Sequence, residues 1–136
     1  MHVVTTHNGQ LKFVAKDELG NLVKMDAGKD NGGEGSGISP KKLLLAGLAG
    51  CTGMDVVSIL NKMRVTFEEF YLVTDAELTE EHPRVFTKIL LAYHFKGKDL
   101  PLDKLKHAVE LSQQKYCGVS AMLSCSCPVT TQVIID

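Results

Sequence analysis

Four cysteines are the side chains best suited to covalent chemistry: Cys51, Cys117, and the C-x-C pair Cys125 and Cys127. A thiolate is both a nucleophile and a soft metal ligand, so three uses are open: attack on an electrophile, metal binding, or inert burial. Structural zinc asks for four ligands in paired C-x-x-C or H-x-x-x-H spacing. Here only C-x-C occurs, and His2, His7, His82, His94 and His107 are dispersed, so neither a native metal nor a cofactor is expected. No histidine stands where it would serve either thiol as a base, which leaves a cysteine-hydrolase triad without support. The histidines read as surface or strand residues with satisfied partners. Asp55, four residues after Cys51, cuts both ways, because a nearby carboxylate disfavours a thiolate unless another charge offsets it.

Cys51 lies in the stretch from Ser39 to Met63, which reads as the central helix. Ser39 suits the N-cap and Pro40 the first helical position. From Leu43 to Met54 the only polar side chains are Cys51 and Thr52, so this half is expected to be buried all round. From Asp55 onward the pattern turns amphipathic, with Val56, Ile59, Leu60 and Met63 on one side and Asp55, Ser58 and Lys62 on another. Cys51 sits one turn before Asp55 on that polar face, where a pocket could form. Gly47, Gly50 and Gly53 each cost a helix about 1 kcal/mol against alanine, which makes sense if another helix or a partner chain must approach the backbone. Two readings of Cys51 stay open on these residues: a reactive thiol at a crevice, or a small core residue.

The chain of 136 residues is long enough for one domain with a sizeable core. Its formal net charge of −1 and scattered basic residues leave no electrostatic footprint for nucleic acid or an anionic membrane. The uninterrupted apolar run Leu43–Met54 falls short of the ~20 residues that span a bilayer, and MHVVTTHNGQ has no secretory pattern. The expectation is a cytoplasmic protein whose thiols are reduced at rest rather than tied in a disulfide framework.

Along the chain, residues 1 to 26 read as a β-meander whose first turn is Asn8-Gly9. The glycine-rich connector AGKDNGGEGSGI, residues 27 to 38, lacks a Walker Lys-Ser/Thr and carries Glu34, so it reads as a flexible loop, not a phosphate cradle. Val65–Leu78 and Val85–Lys96 read as two long strands. In the first, Phe70, Leu72, Thr74, Ala76 and Leu78 face a core; in the second, Val85, Thr87, Ile89, Leu91, Tyr93 and Phe95 do. A second helix is expected over Pro101–Tyr116, with Leu102, Leu105, Val109, Ser112 and Tyr116 on one face and an end at Cys117-Gly118. The segment VSAML and a closing strand, Pro128–Ile135, follow. The order βββ-α-ββ-α-β has too few helices for a doubly wound parallel sheet and implies an α+β fold, a single domain of mostly antiparallel strands on a long helix.

GGEGSGISPKKLLLAGLAGCTGMDVVSILNKM, with the second cysteine in KYCGVSAML, resembles the OsmC/Ohr family of osmotically inducible and organic-hydroperoxide-resistance proteins, most nearly its YhfA-like branch. The likeness covers essentially the whole chain and is carried best by the eleven-residue step from Pro40 to Cys51. Its second motif is looser, since Cys117-Gly118-Val119-Ser120 stands where better-known members have Cys-Pro-x-Ser. The resemblance implies an intertwined homodimer with active sites at the subunit interface and a thiol peroxidase acting on organic hydroperoxides. Cys51 would attack the peroxide as thiolate, Cys117 would resolve the sulfenic acid as a disulfide, and an external dithiol would reset the pair. Cys125 and Cys127 match nothing in the pattern and read as structural. Two positions depart from it: Lys41 follows Pro40 where peroxidase members carry glutamate, and the only arginines, Arg64 and Arg84, lie outside the N-terminal strands. A lysine supplies charge without the planar bidentate fork. The alternatives are a non-catalytic protein of the same fold that binds a small apolar or electrophilic ligand between subunits, and a redox sensor.

Overall fold

The computed structural model describes residues 1–136, which form two compact units, Met1–Leu45 and Ala46–Asp136. In the first, β1 (Val3–His7), β2 (Phe13–Asp17) and β3 (Leu22–Met25) make an antiparallel sheet in the order β1-β2-β3. Gly9 and Gly20 take φ of 87° and 90° at its turns, the left-handed geometry such tight connections need.

The glycine-rich connector is folded rather than loose. Asp26 is 2% exposed, and its Oδ2 accepts the Ser36 hydroxyl at 2.8 Å, the Ser36 N–H at 3.1 Å and the Glu34 N–H at 3.2 Å. The Ser36 donors hold this carboxyl below the usual carboxylate range against the opposing effect of burial. Glycine is required at Gly33, where an added Cβ would fall 2.0 Å from the Ala27 carbonyl oxygen, and at Gly37, 2.7 Å from that of Lys24. The connector thus wraps a buried carboxylate, and its glycines allow close backbone approach.

Helix α1 runs from Pro40 to Lys62 across the boundary between the units. Pro40 is its first residue, as expected, and the Ser39 carbonyl accepts the Leu43 N–H at 2.9 Å. The expectation that its apolar half is buried all round is not met in the single chain. Leu48, Thr52, Gly53, Val56 and Leu60 are buried, but Leu44 and Met54 are 52% and 76% exposed. An i, i+4 strip is enough to seat a helix on one layer, and one layer leaves its far side uncovered. Gly53 does meet a close neighbour, Leu72 Cδ1 at 3.3 Å from an added Cβ, whereas nothing lies within 4 Å of Gly47 or Gly50. By length and composition α1 could also cross a membrane, a property that the core helices of soluble proteins share. The helix ends at Arg64, with φ of 57°. There the Val65 N–H reaches back to the Leu60 carbonyl at 3.0 Å, a Schellman-type closure. This capping turn takes up Val65, and so β4 begins at Glu69 rather than at Val65.

The second unit holds a sheet in the order β4-β5-β6, formed by Glu69–Leu78, Phe86–Lys96 and Val129–Ile135. β4 pairs antiparallel with β5 in a register that sets Phe70 beside Phe95 and Leu72 beside Tyr93. The Phe70 and Phe95 rings stack at 4.5 Å, and Phe67 meets both edge-on. The expected face of β5 is buried at Ile89, Leu91, Tyr93 and Phe95; each such side chain contributes about 1.5–3 kcal/mol relative to exposure. It does not extend to Val85 and Thr87, which are exposed, because the strand overruns the core at that end. β6 runs parallel to β5, while the other three strand pairings are antiparallel, in keeping with a mostly antiparallel fold. α2 (Leu102–Leu111) and α3 (Gly118–Ser124) carry the chain back to the end of the sheet where β5 began, so β6 enters in the same direction.

Between α2 and α3, residues Ser112–Tyr116 form a π-helical turn instead of finishing a regular helix. The Cys117 N–H bonds the Ser112 carbonyl at 2.7 Å, a five-residue step. The wider turn takes Tyr116 off the apolar face and leaves it 53% exposed, while Leu105, Ala108, Val109 and Ser112 stay buried. Leu102, at the helix start, is 40% exposed. VSAML lies inside α3, with Cys117 as its N-cap.

Candidate functional site

Two sequence features create the site. Cys51 and Asp55 stand one helical turn apart on α1, which puts both on one face. The π turn ends at Cys117, whose Sγ faces back into α3 and accepts the Ser120 N–H at 3.3 Å. As a result Cys51 Sγ, Cys117 Sγ and a carboxylate oxygen of Asp55 all lie within 4.8 Å of one another. Sixty-six residues apart in sequence, the two thiols are neighbours. All four cysteines are free. Cys51 and Asp55 are half-buried, and Cys117 is buried.

A hydrogen-bonded framework holds Asp55 and Cys117 in this trio. The Ser112 hydroxyl donates to Asp55 Oδ2 at 3.0 Å. With that hydrogen committed, the 2.7 Å contact between Ser112 and Thr52 must be donated by Thr52. The Tyr93 hydroxyl in turn donates to Thr52 Oγ1 at 2.7 Å. The chain of donors therefore runs Tyr93, Thr52, Ser112, Asp55, and its sense is set by the carboxylate, which only accepts. Gln113 closes it from the π turn: Nε2 donates to Thr52 Oγ1 at 3.0 Å and to Tyr93 Oη at 2.9 Å, and Oε1 accepts from the Ser120 hydroxyl at 2.5 Å. Thr52, Ser112 and Ser120 are buried, and a member left unpaired there would cost about 1–3 kcal/mol. The network ties α1, β5, the π turn and α3 into one frame around the thiols.

The electrostatics of the site act on the Cys117 thiol. Burial pushes the Cys117 thiol up to about 11, the Cys51 sulfur and the Asp55 charge push the same way, and only the Ser120 N–H pulls down. Cys117 is held as a thiol at neutral pH. Burial likewise raises Tyr93 to about 12, which keeps its hydrogen in the chain.

Beside the trio lies a cleft of about 330 Å³ lined by Asp55, Ser58, Ile59, Lys62, Met63, Leu111 and Tyr116. It forms along the polar face of α1 where the sequence placed it, and Asp55 is the residue that it shares with the thiols. On the other side of α1 an apolar groove of about 660 Å³ runs past Gly50, Gly53, Met54, Phe70 and Leu72.

Of the remaining predicted residues, Cys125 is exposed and its Sγ bonds the Ala121 carbonyl at 3.3 Å, while Cys127 is buried. No histidine joins the trio. His94 pairs with Asp136 at 3.0 Å and stacks on Tyr71, and His7 bonds the Gln10 carbonyl. Sequence reasoning did not assign Thr52, Tyr93, Ser112, Gln113 or Ser120 to the site. A signal existed for two of them, because Thr52 interrupts an apolar run and Ser112 falls on an apolar helix face.

Comparison with known proteins gives a consistent result. The OsmC-like protein family matches over residues 33–132, a span that crosses both units. Protein YhfA of Escherichia coli is 36% identical over 120 residues, covering 88% of this chain and 87% of its own. A hypothetical protein from Aquifex aeolicus superposes with a TM-score of 0.82 at 28% identity, over 99% of this chain and 96% of the other. An organic hydroperoxide resistance protein OsmC from Legionella pneumophila shares the fold, with a TM-score of 0.72 at 18% identity over 98% and 96%.

The raised Cys117 thiol makes stability depend on alkaline pH. Its contribution is complete below the ordinary thiol value of 9.0 and is lost as pH climbs toward about 11. Unfolding midpoints should therefore fall between pH 9 and 11, and Cys117→Ala should flatten that part of the profile. An unchanged slope in the variant would assign the loss to other groups.

Proposed function

The chain belongs to the OsmC-like protein family, and on that premise we propose that it is a thiol peroxidase that reduces organic hydroperoxides with Cys51 and Cys117. The observation that carries this reading is the approach of the two sulfurs within 4.8 Å, beside a carboxylate and a cleft. That relatives of the same fold are named organic hydroperoxide resistance proteins supports the substrate class.

The chemistry follows from the roles that geometry allows. The Cys51 thiol gives its proton to Asp55, directly or through one water. The thiolate attacks the outer peroxide oxygen; an S–O bond forms, the O–O bond breaks, and the departing alkoxide takes the proton back from Asp55 as it leaves as the alcohol. Cys51 is now a sulfenic acid. The Cys117 sulfur attacks it, the S–S bond forms, and the hydroxyl leaves with the Cys117 proton as water. An external dithiol reduces the disulfide and is itself oxidised to its disulfide. Cys117 suits the resolving role because its sulfur lies within 4.8 Å of that of Cys51, while burial keeps it a thiol that does not itself attack the peroxide. The Ser112 hydroxyl fixes one Asp55 oxygen, which holds the carboxylate beside the two sulfurs. Ile59, Met63, Leu111 and Tyr116 give the cleft apolar walls suited to an organic substituent, while Lys62 adds a cation at its rim. The four free thiols fit a reducing, cytoplasmic setting.

The working form is a homodimer. The exposed Met54 and the apolar groove between α1 and β4 leave a hydrophobic face that a second copy would cover, and Gly50 offers open space for it. Because a Cβ added at Gly50 has no neighbour within 4 Å, Gly50→Leu should keep the circular dichroism of the parent yet sediment as a monomer. A Gly50→Leu protein that stays dimeric would remove this face from the interface.

The functional reading is tested by turnover. With excess dithiol the protein should consume cumene hydroperoxide continuously, Cys51→Ser should lose at least a hundredfold of that rate, and Cys117→Ser should complete one turnover and hold a sulfenic acid. A folded protein that leaves the hydroperoxide untouched would favour the non-catalytic reading.

A further inference from the structure

We propose that Cys51, Asp55 and Cys117 also form a binding site for a thiophilic divalent cation of the zinc class. This goes beyond the peroxidase reading and does not require it.

The donor set is two sulfurs and one carboxylate oxygen. In a tetrahedral site with zinc–sulfur bonds of about 2.3 Å the donor atoms stand roughly 3.8 Å apart. The three atoms here already lie within 4.8 Å of one another, close to the spacing that a tetrahedral site requires. Cys51 and Asp55 supply two ligands from one helix face at i, i+4, the same spacing by which a helix presents two histidines to zinc. Cys117 supplies the third from the end of the π turn. Three protein ligands leave the fourth position open, as in sites where zinc holds a water or a small molecule. The adjoining cleft, which shares Asp55, gives a cation a way in.

The surrounding groups are those a metal site needs. Metal-bound carboxylates and thiolates are normally oriented by hydrogen bonds from outside the coordination sphere. Here the Ser112 hydroxyl already holds Asp55 Oδ2 at 3.0 Å, and the Ser120 N–H already points at Cys117 Sγ at 3.3 Å. Ser112 is in turn fixed by Thr52, and Ser120 by Gln113. With Cys51 placed by α1 alone, the framework thus presents the Asp55 and Cys117 donors in a set direction before any cation arrives. It was invisible in the sequence, where ligand spacing argued against a metal, because the third ligand comes from another element sixty-six residues away. A sulfur bound to the cation is a weaker nucleophile than the free thiolate and is partly shielded, so a bound metal would slow the attack of Cys51 on a hydroperoxide.

The test uses reduced full-length protein and the metals alone. With Cd²⁺ as probe, the sulfur-to-metal charge-transfer band should saturate at one equivalent, and Co²⁺ should give the visible bands of a tetrahedral site. Asp55→Asn should weaken binding at least tenfold. In the unmutated protein, zinc should slow alkylation of Cys51 and Cys117, mapped by mass spectrometry, by at least tenfold while leaving Cys125 unaffected. This arm needs no variant to fold and no peroxide turnover. The proposal is overturned if zinc leaves Cys51 alkylation unchanged, or if the charge-transfer band survives in a folded Cys51→Ser, Cys117→Ser protein, which would place the metal on Cys125 and Cys127.

Discussion

The site depends on one hydroxyl, that of Thr52. It sits immediately after Cys51 on the buried strip of α1 and accepts from Tyr93 on β5 and from Gln113 in the π turn, while donating to Ser112. Through Ser112 it fixes Asp55, and through Gln113 and Ser120 it fixes the loop that carries Cys117. A buried polar network of this kind is costly when incomplete and specific when every member is paired. In this one every hydrogen of the four-membered chain has a receiver, which sets the direction of each bond. The placement of the Asp55 carboxylate and of the Cys117 sulfur is therefore governed by buried hydroxyls and an amide on three other elements.

The π turn is the second constraint. A regular continuation of α2 would have kept Tyr116 on the apolar face. The wider turn takes it off that face and delivers Cys117 as the cap of α3. Such turns carry a local energetic cost and are found disproportionately at functional positions. The cost here is offset by the three hydrogen bonds that Gln113 makes to the frame.

Much of the fold could be read from the residues. Pro40 opening α1, the alternation of Phe70 with Tyr71 in β4, and the apolar face of β5 follow from periodicity and backbone chemistry. The cleft along Asp55, Ser58 and Lys62 was legible for the same reason, since a helix face is a local property. What could not be read is non-local. The parallel placement of β6 depends on how far α2 and α3 carry the chain. The exposure of Met54 and Gly50 depends on how many layers cover α1, and the apolar run from Leu43 to Met54 looks the same in either case. The contact of Asp55 with Cys117 needs the π turn, and no pattern in SQQKY announces it. The folding of the glycine-rich connector around Asp26 was missed because only a structure shows that the carboxylate is buried.

The central claim is that Cys51 and Cys117 are close enough to capture each other's oxidised form. Its most direct measurement is peptide mapping by mass spectrometry after one equivalent of cumene hydroperoxide is added to reduced protein under denaturant-free conditions. The account predicts one dominant product, a disulfide joining the Cys51 and Cys117 peptides, with Cys125 and Cys127 still alkylatable. A product with Cys51 as sulfinic acid and Cys117 still a free thiol would contradict it, since the sulfurs would then have failed to meet within the life of the sulfenic acid.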